Sequence, residues 1–308
     1  MNKAPASLPL DSSDTTSSAI DSHSRQTFLF WFTSNCLPVT LAIGFIGPSL
    51  GLGFWHSTLA ILAGVLLGSL APAFLPARQR KLLLPLCLLL PLLYLDALAR
   101  IAVHQLPGQV LNWQLLALLA AAAIALQGQA LSRRLQGLLA PLLIIVFALL
   151  SLGAVLLLEA DTAQRQLHFS GAGFATQLAA AALWQASFTP LASSQRPATL
   201  YAGLLASALW LMSLGALLAS AVPAVDAVVS LRLVGERFYP GLGTLAVLLG
   251  ALPLVGAMAL NGCAVARCGR NDKARGLLLA GFVIAVLALY FGGLPVERID
   301  TLLLDLLR

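Results

Sequence analysis

Long apolar segments without a charged residue alternate with short polar segments along this chain. The first apolar stretch runs from Gln26 to Ala77 without Lys, Arg, Asp or Glu, and comparable stretches recur towards the C-terminus. Each is divisible into lengths of about 20 residues, which an α-helix needs to cross a hydrocarbon layer of about 30 Å. Since lipid offers the backbone no hydrogen-bond partners, such segments must be helical. The pattern predicts an all-α, polytopic membrane protein.

The predicted transmembrane domain covers residues 28–294. It contains about nine spans: 28–47, 52–75, 82–103, 111–130, 138–158, 169–190, 198–221, 241–266 and 275–294. We expect residues 222–240, between the seventh and eighth spans, to form either a short amphipathic surface helix or a plain loop.

The two ends of the chain differ from this domain. Residues 1–27 are rich in Ser, Thr and Asp, which predicts a disordered cytoplasmic tail followed by an uncleaved signal anchor. Residues 295–308 place leucines on one helical face, which predicts a short amphipathic helix or a truncated tenth helix.

Composition excludes most other classes of protein. The chain is 59% hydrophobic and 10% charged, with a mean hydropathy of +0.90, which argues against a soluble enzyme or a nucleic-acid-binding protein. The four cysteines lie in or beside apolar spans and form no CxxC pair, so we expect neither a disulfide framework nor a zinc site. No span carries a His/Asp/Glu cluster, so we expect no enzyme, no metal and no cofactor.

Basic residues orient the predicted spans. With the N-terminus inside, twelve of the 18 Lys and Arg residues fall on the inner side. Positive charge marks cytoplasmic loops. We therefore predict a multi-pass protein of the cell inner membrane with a cytoplasmic N-terminus.

Two spans carry a polar cluster immediately before a proline. The first contains TSNCLPVTLAIGFIGP at 33–48, and the sixth contains ALWQASFTPLASS at 182–194. Proline removes a helical hydrogen bond and frees a carbonyl one turn back. Transporters often place substrate where two corresponding helices are interrupted in this way. Alternatively, these are the ordinary Pro and Gly residues of membrane helices.

Two further polar residues lie within spans. Asn261 in the eighth span could bind a ligand, or could hydrogen-bond to a neighbouring helix. Asp96 in the third span is a candidate for proton coupling or substrate contact. Because Arg100 follows four residues later, Asp96 could instead form an interfacial ion pair.

Several stretches, in order along the chain, resemble the nucleobase:cation symporter family, the purine–cytosine permeases. Residues 28–75 are similar to the first two helices of that family, with the W-F-x-x-N start, the Gly-Pro junction and G-L-G-x-W. The other matching stretches are RRLQGLLAPLL at 133–143, WQASFTPLASSQRP at 184–197, the seventh span at 198–220 and MALNG at 258–262. The resemblance covers most of the chain.

The resemblance implies a leucine-transporter-type fold of inverted repeats, here with an incomplete second repeat. It implies substrate at the broken first and sixth helices, where aromatic rings of helices 3 and 6 hold a planar heterocycle such as cytosine, a purine or a hydantoin. At the corresponding positions of this chain, the resemblance implies these substrate-binding residues: Asn35, Tyr94, Trp184, Gln185 and Asn261. Such a ring can stack on an aromatic face. Its polar edge can pair with side-chain amides, which both donate and accept hydrogen bonds.

The eighth span differs from sodium-coupled members of that family. GALPLVGAMAL at 250–260 offers no hydroxyl oxygen and places Met258 where a polar residue is usual. Sodium coupling is therefore not expected. Asp96 is the candidate for proton coupling, and facilitated diffusion or no transport are the alternatives. We predict a permease for a nucleobase-like heterocycle that works by alternating access. The alternative is a degenerate, non-transporting membrane protein of the same fold that binds a ligand or partners.

Overall fold

The computed structural model describes residues 13–74, 84–157, 168–191, 197–221, 226–269 and 271–292. All regular structure in these ranges is helical. The twelve helices are α1 Ser13–Ser34, α2 Pro38–Gly44, α3 Ile46–Ser49, α4 Phe54–Phe74, α5 Leu86–Gln105, α6 Val110–Gln127, α7 Gln129–Leu156, α8 Gly171–Ala186, α9 Pro197–Ala221, α10 Ala227–Phe238, α11 Leu242–Ala266 and α12 Asp272–Phe291.

The lengths and the apolar composition of these helices are those of a multi-pass membrane protein. Among the described residues, six are long and apolar enough to cross a membrane, and the bent pair Ser24–Ser34 with α2 makes a seventh. Helix α4 adds a shorter apolar stretch over Phe54–Leu70, and α8 occupies the sixth predicted span. The predicted all-α architecture is therefore observed throughout the described part of the chain.

The structure corrects one boundary and decides one alternative. Helix α1 begins at Ser13, so the helix of the first span starts earlier than the predicted boundary at residue 28. Helix α10 shows that the connection before the eighth span contains an amphipathic helix, and the plain-loop alternative is wrong. Residues 1–12 and 295–308 lie outside the described residues.

The helices pack in two groups. The first group contains α1, α2, α4, α8 and α9, and the second contains α5, α6, α7 and α11. Helix α12 packs on the second group, while α1 also contacts α7. A contact surface between the two groups therefore runs through the middle of the molecule.

Glycines allow the first group to pack closely. Gly64 and Gly68 lie one turn apart on α4, and a Cβ at either position would overlap a carbonyl oxygen of α8. Gly215 on α9 meets α2 in the same way, because its Cβ would overlap the carbonyl oxygen of Leu41. Small residues at such positions let membrane helices approach backbone to backbone.

Helix α10 is tied to the start of α11 by Glu236. Its carboxylate accepts hydrogen bonds from the backbone of Gly241 at 2.7 Å and from both the backbone and the hydroxyl of Thr244, at 3.0 and 2.8 Å. These donors stabilise the charged form and hold the pKa of Glu236 below its usual range. These hydrogen bonds therefore stabilise the folded protein at a pH above the ordinary carboxyl pKa. That contribution is lost as the pH falls through the lowered pKa of Glu236.

Replacing Gly215 with Ala should destabilise the protein because the new methyl group meets the backbone of α2. Overpacking of this kind costs about 1–3 kcal/mol. The matched control is Gly281→Ala on α12, where a Cβ meets no atom within 4 Å. Thermal unfolding in detergent should show a lower midpoint for Gly215→Ala alone. Equal midpoints for the two variants would contradict the close approach of α2 and α9.

Candidate functional site

The first predicted interruption is present. Helix α1 ends at Ser34, and α2 begins at Pro38 after a bend of 65°. Leu37 is extended, with φ −114° and ψ 146°, because the ring of a following proline disfavours the helical conformation. Non-helical backbone at this depth needs side chains to satisfy its polar groups.

Asn35 lies in the bend and is fully buried. Its Oδ1 accepts hydrogen bonds from Trp184 Nε1 at 2.8 Å and from the Thr40 hydroxyl at 3.0 Å. Its Nδ2 donates to the carbonyl oxygen of Leu204 on α9 at 3.2 Å. One carboxamide therefore joins the broken first span to α8 and α9.

Trp184 lies near the end of α8 and is 4% exposed. Its ring packs edge-to-face on Tyr94 of α5, with the ring centroids 6.3 Å apart and the planes at 89°. A second perpendicular contact, at 5.7 Å, joins it to Phe188. Trp184 thus connects the first helix group to the second.

Tyr94 and Asn261 complete the contact on the side of the second group. Both are buried, and the Tyr94 hydroxyl faces the Asn261 side chain of α11. Nδ2 of Asn261 donates to Ala257 of its own helix at 2.8 Å, whereas Oδ1 finds no donor in hydrogen-bond geometry among the described residues. Four predicted residues therefore form one chain of contacts, Asn35–Trp184–Tyr94–Asn261, which we call the aromatic bridge.

The aromatic bridge is closed in this structure. A planar ring held between two parallel aromatic faces needs them roughly 7–8 Å apart, since non-bonded carbons meet at about 3.5–4.0 Å. The Trp184 and Tyr94 rings are perpendicular and in contact. A ligand can lie between them only after one ring rotates or the two helix groups separate.

Gln185 points to a different neighbour. It is fully buried, and the Cβ atom lies against Gly68 of α4. Neither its Oε1 nor its Nε2 has a hydrogen-bond partner among the described residues. A buried, unsatisfied carboxamide is costly, so Gln185 offers a free donor and a free acceptor one residue after Trp184 in the sequence.

The second predicted interruption follows these residues directly. Helix α8 ends at Ala186, and residues 187–191 form turns. The Ser187 hydroxyl donates to the carbonyl oxygen of Trp184 at 2.6 Å, which satisfies a group that the helix end leaves free. The Ser187 side chain thus caps the C-terminal end of α8. Residues 192–196 lie outside the described part.

Asp96 forms the ion pair that its spacing with Arg100 permits. Its Oδ2 lies 2.9 Å from Arg100 Nε, and Arg100 Nη1 lies 3.0 Å from Oδ2 of Asp226. Asp226 also caps α10 by accepting from the backbone of Val228 at 2.7 Å. The network connects α5 to α10, and sequence spacing alone does not indicate the second carboxylate.

Gln177 on α8 is a buried polar residue that the sequence analysis did not select. Its Oε1 accepts from the backbone N–H of Gly47 at 2.7 Å, and its Nε2 donates to the carbonyl oxygen of Ile43 at 3.1 Å. In an unbroken helix these two backbone groups would bond to each other. The carboxamide is therefore inserted into the helix break between α2 and α3.

Comparison with known proteins supports the fold. No protein-family model matches the sequence, and no curated protein matches it. Among solved structures, the chain is similar to one described as the inward-facing conformation of Mhp1, with a TM-score of 0.53 and 14% identity over 89% of this chain and 73% of that one. The predicted leucine-transporter-type fold is thereby confirmed.

Replacing Gln177 with Leu should destabilise the protein. It leaves the N–H of Gly47 and the carbonyl of Ile43 without their partner, and each unsatisfied buried group costs about 1–3 kcal/mol. Gln185→Leu on the same helix is the control, because it removes a buried carboxamide that makes no hydrogen bond. Thermal unfolding in detergent should show a lower midpoint for Gln177→Leu and an equal or higher one for Gln185→Leu. The reverse order would refute the inserted-amide geometry.

Proposed function

We propose that this chain is a membrane transporter that carries a small, planar, nucleobase-like heterocycle by alternating access. The observation that carries the proposal is the aromatic bridge. It brings the bend of the first span, the end of α8, and helices α5 and α11 to one buried place. The sequence resemblance to purine–cytosine permeases and the structural likeness to Mhp1 point independently to the same fold.

The chemistry around the aromatic bridge suits a flat ring with polar edges. Trp184 and Tyr94 offer faces on which a heteroaromatic ring gains stacking energy. Oδ1 of Asn261 and both amide atoms of Gln185 are buried without partners among the described residues. A ring whose edge carries N–H and C=O groups would satisfy these atoms, whereas a hydrocarbon would leave them unpaired. Asn35 would position Trp184 through the 2.8 Å hydrogen bond.

Alternating access would use the contact surface between the two helix groups. Trp184 belongs to the first group and Tyr94 to the second, so movement of one group against the other opens or closes the aromatic bridge. Mhp1 was solved in an inward-facing conformation, a description that suits a protein whose site opens to one side at a time. With most basic residues on the side of the N-terminus, we place that terminus in the cytoplasm and the chain in the inner membrane.

Asp96 is the candidate for proton coupling. Protonation of Asp96 would not leave Arg100 without a counter-charge, because Asp226 lies 3.0 Å from the same guanidinium. The three-residue network could therefore lose one negative charge and keep one ion pair. The alternative role for Asp96 is a structural tie between α5 and α10, with no proton carried.

Uptake into proteoliposomes tests the proposed function. Labelled cytosine, adenine, guanine, uracil and hydantoin form the panel, and at least one should be taken up faster than by empty liposomes. For that compound, Trp184→Ala should raise KM about two- to tenfold, since a lost stacking contact is worth about 0.5–1.5 kcal/mol. Trp55→Ala is the control, because Trp55 is 59% exposed at the surface. No uptake of any compound, or equal effects of the two substitutions, would refute the proposal.

An inward sodium gradient should not accelerate that uptake at fixed pH and voltage. In hydrocarbon, a sodium ion needs several oxygen ligands in place of water. Residues 250–260 of α11 include no side chain with an oxygen atom that could serve as a ligand. A several-fold stimulation by sodium would contradict this expectation. In the same liposomes, stimulation by an inward proton gradient that is lost in Asp96→Asn would assign the proton to Asp96.

A further inference from the structure

The first two turns of α7 carry four unsatisfied hydrogen-bond donors on one face. The atoms are Gln129 Nε2, Ser132 Oγ, Arg133 Nε and Gln136 Nε2, each buried and without a partner among the described residues. The spacing i, i+3, i+4, i+7 places the four side chains on one side of the helix. All four groups can donate. We call this set the donor stripe.

Two residues of the donor stripe are enclosed by the surrounding helices, while Gln129 and Arg133 are partly exposed. Ser132 and Gln136 are each 1% exposed. Gln136 reaches α1, where its Oε1 lies 2.6 Å from the Ser34 hydroxyl. It also reaches α11, since a Cβ at Gly256 would lie 2.9 Å from Gln136 Nε2. Each unmade hydrogen bond here costs about 1–3 kcal/mol, so the stripe favours a ligand that accepts.

The end of the helix adds positive potential at the same place. Helix α7 is 28 residues long and starts after Gly128, with no side-chain cap and no acidic residue in its first turn. The first backbone N–H groups therefore lack a capping side chain, and the positive end of the helix dipole is not offset by a carboxylate.

Two arginines meet at this end without a carboxylate. Arg133 of the donor stripe and Arg267, which follows α11, are close enough to repel each other. Among the described residues, neither forms an ion pair with Asp or Glu, and the guanidinium of Arg133 lies 5.8 Å from the Phe30 ring centroid. Like charges that are partly removed from water are unfavourable unless an anion neutralises them.

We propose that the donor stripe is an anion-binding site, enclosed by α1, α7 and α11, that takes a phosphate or carboxylate group. Arg133 would supply the charge, and Ser132 would supply a neutral donor from the buried side of the helix. The group could come from a soluble anion or from the headgroup of an anionic lipid. The site differs from the aromatic bridge and does not depend on the proposed transport activity.

Anion binding should stabilise this packing of the helices. Phe30 and Ser34 belong to the first helix group, while the donor stripe belongs to the second. A ligand held at their contact surface binds the folded protein and not the unfolded chain, so it raises the unfolding temperature.

The experiment measures thermal unfolding of the full chain in lipid nanodiscs. Discs of phosphatidylcholine receive sodium phosphate or sodium chloride at matched ionic strength, and a second set contains phosphatidylglycerol. The parent should gain about 2–5 °C from phosphate or from phosphatidylglycerol. Ser132→Ala and Arg133→Gln should lose at least half of that gain. Arg134→Gln should keep it, because Arg134 is exposed and lies off the donor stripe.

The pattern among variants decides the outcome. A gain from phosphate in neutral discs supports a soluble anion, and a gain confined to phosphatidylglycerol supports a lipid headgroup. Ser132→Ala keeps the net charge, so its loss of the gain separates a built site from general attraction. The absence of any gain in the parent overturns the proposal, as does an equal loss in Arg134→Gln or a full gain in Ser132→Ala.

Discussion

The carboxamide of Asn35 is the interaction on which the arrangement of the buried site depends. A bent helix at membrane depth leaves backbone groups that lipid cannot satisfy, and the bend after Ser34 needs partners from its own chain. Asn35 meets the Thr40 hydroxyl of the next helix, the Trp184 indole of α8 and the Leu204 carbonyl of α9. The same three contacts that hold the bend also set the position of the indole ring.

Uncharged carboxamides make several of the buried hydrogen bonds that join helices in the described part of this fold. Gln177 is inserted between Ile43 and Gly47 at the break between α2 and α3. Gln114 donates to the Leu95 carbonyl at 3.1 Å and to the Tyr290 hydroxyl at 2.7 Å, joining α6 to α5 and α12. A carboxamide both donates and accepts without the desolvation cost of a charge, which suits a chain that keeps charge away from its apolar spans.

The apolar pattern was sufficient to predict the helical class, because span length and the loss of charge have few other physical explanations. The polar-then-proline pattern correctly located the first bend, since proline acts locally on its own helix. The meeting of Tyr94 with Trp184 could not be read from residue spacing, because the two helices are far apart in sequence; the family resemblance was needed. Gln177 was missed because its partners lie on another helix. The start of the first helix was predicted too late, because a Ser/Thr/Asp-rich composition gives no signal that a helix begins before an apolar span.

The inserted Gln177 amide has a mechanical consequence. Its two hydrogen bonds join the break between α2 and α3 to α8, and the close contacts of Gly64 and Gly68 join α8 to α4. Close backbone packing and buried hydrogen bonds both resist a gradual displacement of one helix along another. We therefore expect one rigid unit that contains α2, α3, α4 and α8. A rotation that displaces Trp184 would also displace α2 and α3.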